Sequence, residues 1–233
     1  MRHDSIHKKI AEEAIAERAG DENSASAKTT KSPLYYIIGL FLALILILWI
    51  VPVSIIRLDP EPRDIPSFDD VTKGYDINDF SGAKRPDSTD IRDYVAPTDP
   101  TIKQLSTRIA ASTCDSGKEA YKVCQAKAVF YFVRDNFAYV AESDEYMQTP
   151  TEIFYTRGGD CDDFSVLLAS MEQAIGVPTR FIRAPGHVYV QVYIEEALER
   201  YKEEDGWINL DAACRSCGFG QLSKRYDQKS VIW

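Results

Sequence analysis

Between Leu34 and Ile56 the chain reads LYYIIGLFLALILILWIVPVSII, a run without a single charged residue. As a helix rising ~1.5 Å per residue it would be about 34 Å long, enough to cross a hydrocarbon core of about 30 Å. A secretory signal has an apolar region of only ~7 to 15 residues behind a short basic start. This run is longer and begins only after Pro33, so it predicts a retained single-pass transmembrane helix and a chain resident at the cell membrane. Tyr35, Tyr36 and Trp49 lie toward its ends, where amphipathic rings favour the interface. The nearby basic residues balance, with Arg18, Lys28 and Lys31 before the run and Arg57, Arg63 and Lys73 after it. Arg2, Lys8 and Lys9, farther out, tip the balance toward a cytoplasmic N-terminus and an extracytoplasmic C-terminal domain.

The run divides the chain. Residues 1–33 form a flexible polar tail whose stretch HKKIAEEAIAERAG has helical character but too little apolar content to fold alone. Over 57–100, prolines at 60, 62, 66, 86, 97 and 100 alternate with acidic residues and disfavour both helix and central strand. This segment reads as a linker or stalk, with Phe68, Tyr75 and Phe80 available to lie on the domain. Residues 101–233 are then the folded part. The net charge of −9 argues against a nucleic-acid partner, which would require a basic surface. In the folded part, Ser116 and Glu119 have capping-box spacing, and Tyr121, Cys124, Ala128 and Tyr131 recur at helical intervals. They predict a helix over 117–135.

A second helix is written in GGDCDDFSVLLASMEQAIG. Phe164, Leu167, Leu168, Met171 and Ile175 form one apolar stripe, Asp160 can cap its start, and Gly176 with Pro178 ends it. Cys161 is then the first helical residue, where the helix dipole favours a thiolate while Asp160, Asp162 and Asp163 oppose it. Such a cysteine needs a cationic partner. Three histidines exist, and His3 and His7 precede the apolar run, which leaves His187. It opens HVYVQVYI, an alternating strand with His187, Tyr189, Gln191 and Tyr193 on one face and Val188, Val190, Val192 and Ile194 on the other. WINLDA alternates too, with Trp207, Asn209 and Asp211 opposite Ile208 and Leu210. Antiparallel pairing with the apolar faces shared sets Val190 against Ile208 and His187 against Asp211. There a carboxylate orients an imidazole whose other nitrogen can take a thiol proton.

These three blocks, in the order Cys161, His187, Asp211 and with short gaps, resemble the transglutaminase-like superfamily over residues 149–213. The resemblance implies an α+β, papain-like core in which a nucleophile helix packs on an antiparallel sheet. It also implies acyl transfer on protein or peptide amides, by hydrolysis or transamidation, without a cofactor. The Cys161 backbone N–H would be one oxyanion donor and Tyr139 a second candidate. Gly158 and Gly159 allow a tight approach to the helix. No acidic loop has calcium-ligand spacing, and no metal is assigned. With Cys161 free, Cys114, Cys124, Cys214 and Cys217 remain for two disulfides in an oxidising exterior, with a zinc site or a CxxC redox centre as alternatives. A non-catalytic binding or assembly module with the same fold is the rival reading, and the oligomeric state stays open.

Overall fold

The computed structural model describes residues 32–50, 59–76, 78, 80, 84–117, 120–141 and 146–232. The tail expected over 1–33 therefore lies outside them as far as residue 31, His3 and His7 included. The chain divides after Pro52 into two compact units. The first contains helix α1, Pro33–Ile50. Proline at its start presets φ, and the leucines, isoleucines and alanine that follow offer nothing to break it. The large side chains described on it are exposed, from Ile45 at 43% to Trp49 at 88%, and all are apolar or aromatic, so the helix has no polar face to turn to water. Among the described residues, no helix is long and apolar enough to cross a membrane. α1 has 18 residues, about 27 Å at 1.5 Å per residue. The helix expected over 34–56 is thus described only as far as Ile50, and 51–56 lie outside the described residues.

The second unit contains a short helix α2 (Phe68–Thr72) and the longer α3 (Pro100–Thr113) and α4 (Tyr121–Asn136). Two further helices follow, α5 (Pro150–Thr156) and α6 (Cys161–Ala174). Strands β1 (Ala138–Tyr139) and β2 (Gly158–Gly159) pair in parallel. The main sheet is antiparallel, in the order β5 (Trp207–Leu210), β4 (His187–Tyr193), β3 (Thr179–Ala184), β6 (Ser230–Ile232). Helix α6 is the centre of the arrangement, packing on α3 and α4 as well as on β4 and β3. Leu167, Leu168 and Met171 are fully buried with Val190, Val192, Ile208 and Leu210, as the two periodicities require. The sheet's other face carries polar side chains that satisfy one another. Arg180 Nε donates to Gln191 Oε1 (2.7 Å), Gln191 Nε2 to Asn209 Oδ1 (2.7 Å), and Asn209 Nδ2 to Glu203 Oε1 (2.6 Å).

Three expectations need correction. The helix over 117–135 begins at Tyr121 instead, because Gly117 and Ala120 have positive φ (91° and 56°), a turn geometry that no helix contains. Glu119 of the expected capping box lies outside the described residues. The β4–β5 register differs by two residues, since Val190 pairs with Leu210, not Ile208. An even shift preserves which side chains share a face, so His187 and Asp211 become diagonal neighbours instead of direct ones. Finally, the segment expected as a linker or stalk over 57–100 packs on the unit at Phe68 and Phe80, as its aromatic residues suggested, and at Val71, Ile91 and Tyr94 as well, more extensively than expected. All five are buried. The fully buried Lys127 ammonium holds this segment through Asp59 (2.5 Å) and Glu61 (2.6 Å). A buried ammonium needs such partners to stay charged.

Candidate active site

The site is built on the start of α6. Asp160, extended and just outside the helix, accepts from the N–H groups of Asp162 (3.0 Å) and Asp163 (3.4 Å). Asp163 returns the contact by accepting from the Asp160 N–H (3.2 Å), which closes a capping box. The same carboxylate accepts from the Gln148 N–H (2.8 Å) and from Gln148 Nε2 (2.9 Å). Asp163 is fully buried, and burial raises its pKa to about 6 despite these hydrogen bonds. The approach from β2 is tight. A Cβ on Gly158 would lie 2.6 Å from the Ala138 carbonyl oxygen, and one on Gly159 would lie 2.4 Å from Asp163 Oδ2, so both glycines are required.

Cys161 is the free cysteine and is partly exposed. Its N–H, first in the helix, has no intrahelical acceptor. Its thiol donates to Asp162 Oδ1 at 3.5 Å. Burial pushes the thiol pKa up to about 11. A backbone hydrogen bond with Val188 opposes this, and the charges of Asp162 and Asp160 add to it. The resting thiol is therefore neutral near pH 7.

His187, the first residue of β4, brings Nε2 to 3.0 Å from Asp211 Oδ2. A carboxylate can only accept, so Nε2 carries the proton and Nδ1 is left as the basic nitrogen. Asp211, one residue beyond β5, is 1% exposed. Cys161 and His187 line one cleft of about 580 Å³, together with Asp160, Asp162, Arg183 and Tyr146. A second cleft of about 570 Å³ is lined by His187, Asp211, Tyr139, Lys224 and Tyr226. Tyr139, paired with Gly159 across β1 and β2, is half exposed on this second cleft.

The other cysteines are disulfides, Cys114–Cys124 and Cys214–Cys217, and not zinc ligands. Helices α3 and α4 double back, which brings Cys114 to Cys124 with Cα atoms 6.0 Å apart. The second bridge stiffens the turn in which the Cys214 N–H donates to the Asp211 carbonyl (3.2 Å), just past the carboxylate that holds His187. Asp160, Cys161 and Asp162 offer donor atoms within 4.8 Å of one another. A cation there would occupy the thiol and compete with the helix cap, so none is assigned. Sequence reasoning missed Gln148 and Tyr226. The acid at the third helical position signals a capping box, but nothing local points to Gln148.

The sequence model of the transglutaminase-like superfamily matches residues 107–212. No curated protein matches the chain. Among solved structures, LapG of Legionella pneumophila is 16% identical, covering 66% of this chain and 77% of that one, with a TM-score of 0.37. A candidate cysteine protease from Cytophaga hutchinsonii is also 16% identical, covering 72% of this chain and 59% of that one, with a TM-score of 0.36. The family match spans Cys161, His187 and Asp211 and the elements that carry them, and it supports a transglutaminase-like superfamily domain over residues 107–212.

Proposed function

We propose that the protein is a thiol-dependent, peptidase-like acyl-transfer enzyme acting on protein or peptide amides. The observation that carries this reading is the 3.0 Å contact between His187 Nε2 and buried Asp211, in the same cleft system as a free thiol at a helix start. In the first step Cys161 Sγ attacks the carbonyl carbon while its proton passes to His187 Nδ1. The new oxyanion accepts from the Cys161 N–H, with Tyr139 as the second candidate donor. The C–N bond then breaks, and the departing amine takes the proton from His187. Water, deprotonated by His187, attacks the thioester and releases the acid and the thiol. An amine in place of water would complete a transamidation by the same route.

A non-catalytic module is the second reading, favoured by the setting of the thiol, whose burial beside Asp162 and Asp160 raises its pKa to about 11. Acylation separates the two. p-Nitrophenyl acetate offered to the full chain in mild detergent should give a burst of p-nitrophenolate, with the acetyl group located on Cys161 by mass spectrometry. His187→Ala should slow the burst by about 10²-fold or more. Equal rates in both proteins would mark an isolated thiol and support the module.

We further propose that α1 anchors the chain in a membrane, since its exposed side chains are apolar all round. The two disulfides support placing the domain on the oxidising, extracytoplasmic side. Flotation with lipid vesicles should require residues 34–56, and recovery of the intact chain in the soluble fraction would overturn the anchor.

A further inference from the structure

The segment between β5 and β6 has no periodic pattern, yet it delivers an aromatic ring to the site. Tyr226 stacks on His187 with ring centroids 5.7 Å apart and planes 19° from parallel. It also stacks on Tyr189, at 6.0 Å and 24°. Tyr189, two residues along β4 and on the same face as His187, stacks on the imidazole at 6.1 Å and 29°. The imidazole thus belongs to a group of three near-parallel rings. Tyr226 is held by chain topology: β6, four residues later, pairs antiparallel with β3, setting Ser230 against Arg183 and Ile232 against Phe181. The charged groups around this stack are Asp211, Lys224 with Nζ 5.1 Å from the Tyr226 centroid, Glu203 and Arg180 near Tyr189, and Asp160 and Asp162 lining the cleft with His187, while the Cys161 thiol beside them is neutral.

Three physical effects follow from this packing. Offset stacking resists rotation of the imidazole about its Cβ–Cγ bond, which would carry Nε2 away from Asp211. A ring over the pair displaces water from the Nε2–H to carboxylate bond, and in the lower local dielectric that bond strengthens. Once His187 is protonated in the reaction, the tyrosine π face stabilises the imidazolium. All three require an aromatic ring and none requires the tyrosine hydroxyl.

We propose that Tyr226 is the positioning residue that fixes the ring plane and tautomer of His187. The role rests on the acyl-transfer reading above, with Tyr226 acting through His187 and not on the substrate. The test compares Tyr226→Phe, Tyr226→Leu and Tyr226→Ala in the full chain in detergent, with thermal unfolding as the check on folding. Tyr226→Phe should keep the wild-type burst rate. Tyr226→Leu, which fills space without a π face, should lose about tenfold in the burst rate constant, with half-saturation by p-nitrophenyl acetate nearly unchanged. The acid limb of its pH–rate profile should also move to lower pH, because the imidazolium has lost the stacked ring that stabilised it and the base stays unprotonated further into acid.

Imidazole ¹H–¹⁵N spectra give an independent readout, since the chain has only three histidines and His3 and His7 supply reference signals. Wild type and Tyr226→Phe should show His187 as the Nε2–H tautomer, and Tyr226→Leu a mixture. Equal burst rates and equal tautomers for Phe and Leu would overturn the proposal and leave Tyr226 as filling. If His187→Ala does not slow acylation, the acyl-transfer reading fails, and the spectra still decide whether Tyr226 orients the ring.

Discussion

The two walls of the cleft treat charge in opposite ways. The helix wall puts Cys161 between Asp160 and Asp162, and burial together with those acids raises the thiol pKa to about 11. The sheet wall has one carboxylate, Asp211, buried and spent on His187 Nε2, with aromatic rings stacked on the imidazole. The helix wall therefore holds a thiol that its own surroundings keep protonated, while the sheet wall holds an imidazole already oriented, and on the acyl-transfer reading proposed above these are the nucleophile and the base. The acids at the helix start serve the fold: they cap α6 and lock Gln148 against it. On that reading activation comes across the cleft, with the thiol proton leaving for His187 during attack and not before.

The largest expected effect strikes the sheet wall. Asp211→Asn keeps the volume but offers an amide where a carboxylate accepted, so the His187 Nε2–H tautomer is no longer enforced. Burst acylation should fall by about 10²- to 10⁴-fold. His187 should then show mixed tautomers in imidazole spectra. A loss of less than about threefold would mean that the sheet wall is not what prepares the base, and the contrast between the walls would collapse.

The helix wall should respond in the opposite direction. Asp162→Asn removes a negative charge beside the thiol, so the Cys161 pKa should fall from about 11. A decrease of roughly half to one unit raises the thiolate fraction by about three- to tenfold at any pH below the inflection. Iodoacetamide labelling of Cys161 against pH reads this directly. An inflection that does not move would assign the raised pKa to burial and Asp160 without Asp162.

How much of this was legible in the sequence depended on the range of the interaction. The α6 stripe, its Asp160 cap and its stop before Gly176 and Pro178 are set by neighbours within a few positions, and they read correctly. So did the alternation of β4 and β5, which decides which side chains share a face. Their register did not, because it is set by the connection through the turn at Glu199–Tyr201 and the bridge between Lys202 and Ile208. No local pattern encodes that count. The packing of residues 59–94 was legible only at Phe68, Tyr75 and Phe80, and the rest was hidden for the same reason. Prolines and acids read as a stalk until Lys127, far along the chain, supplies the buried charge that Asp59 and Glu61 answer. Tyr226 was the least visible of all, since only the β6 pairing brings it to His187.

The smallest expected effect lies on the seam between the walls. Ser165, one turn into α6 and buried, donates its hydroxyl to the Val188 carbonyl (3.1 Å), next to His187. Val188 also makes the backbone hydrogen bond that partly counters the rise in the Cys161 pKa. Ser165→Ala removes one buried hydrogen bond, a cost of about 1 kcal/mol, or roughly 2–4 °C in Tm for a domain of this size. If the caps and the apolar packing hold the walls by themselves, stability should fall by that amount with the burst rate nearly unchanged. If acylation falls tenfold with only that loss of Tm, the seam is setting the distance between thiol and imidazole. The contrast between the walls would then be one of position as well as charge, because a base prepared on one wall acts only as far as the other wall is held within its reach.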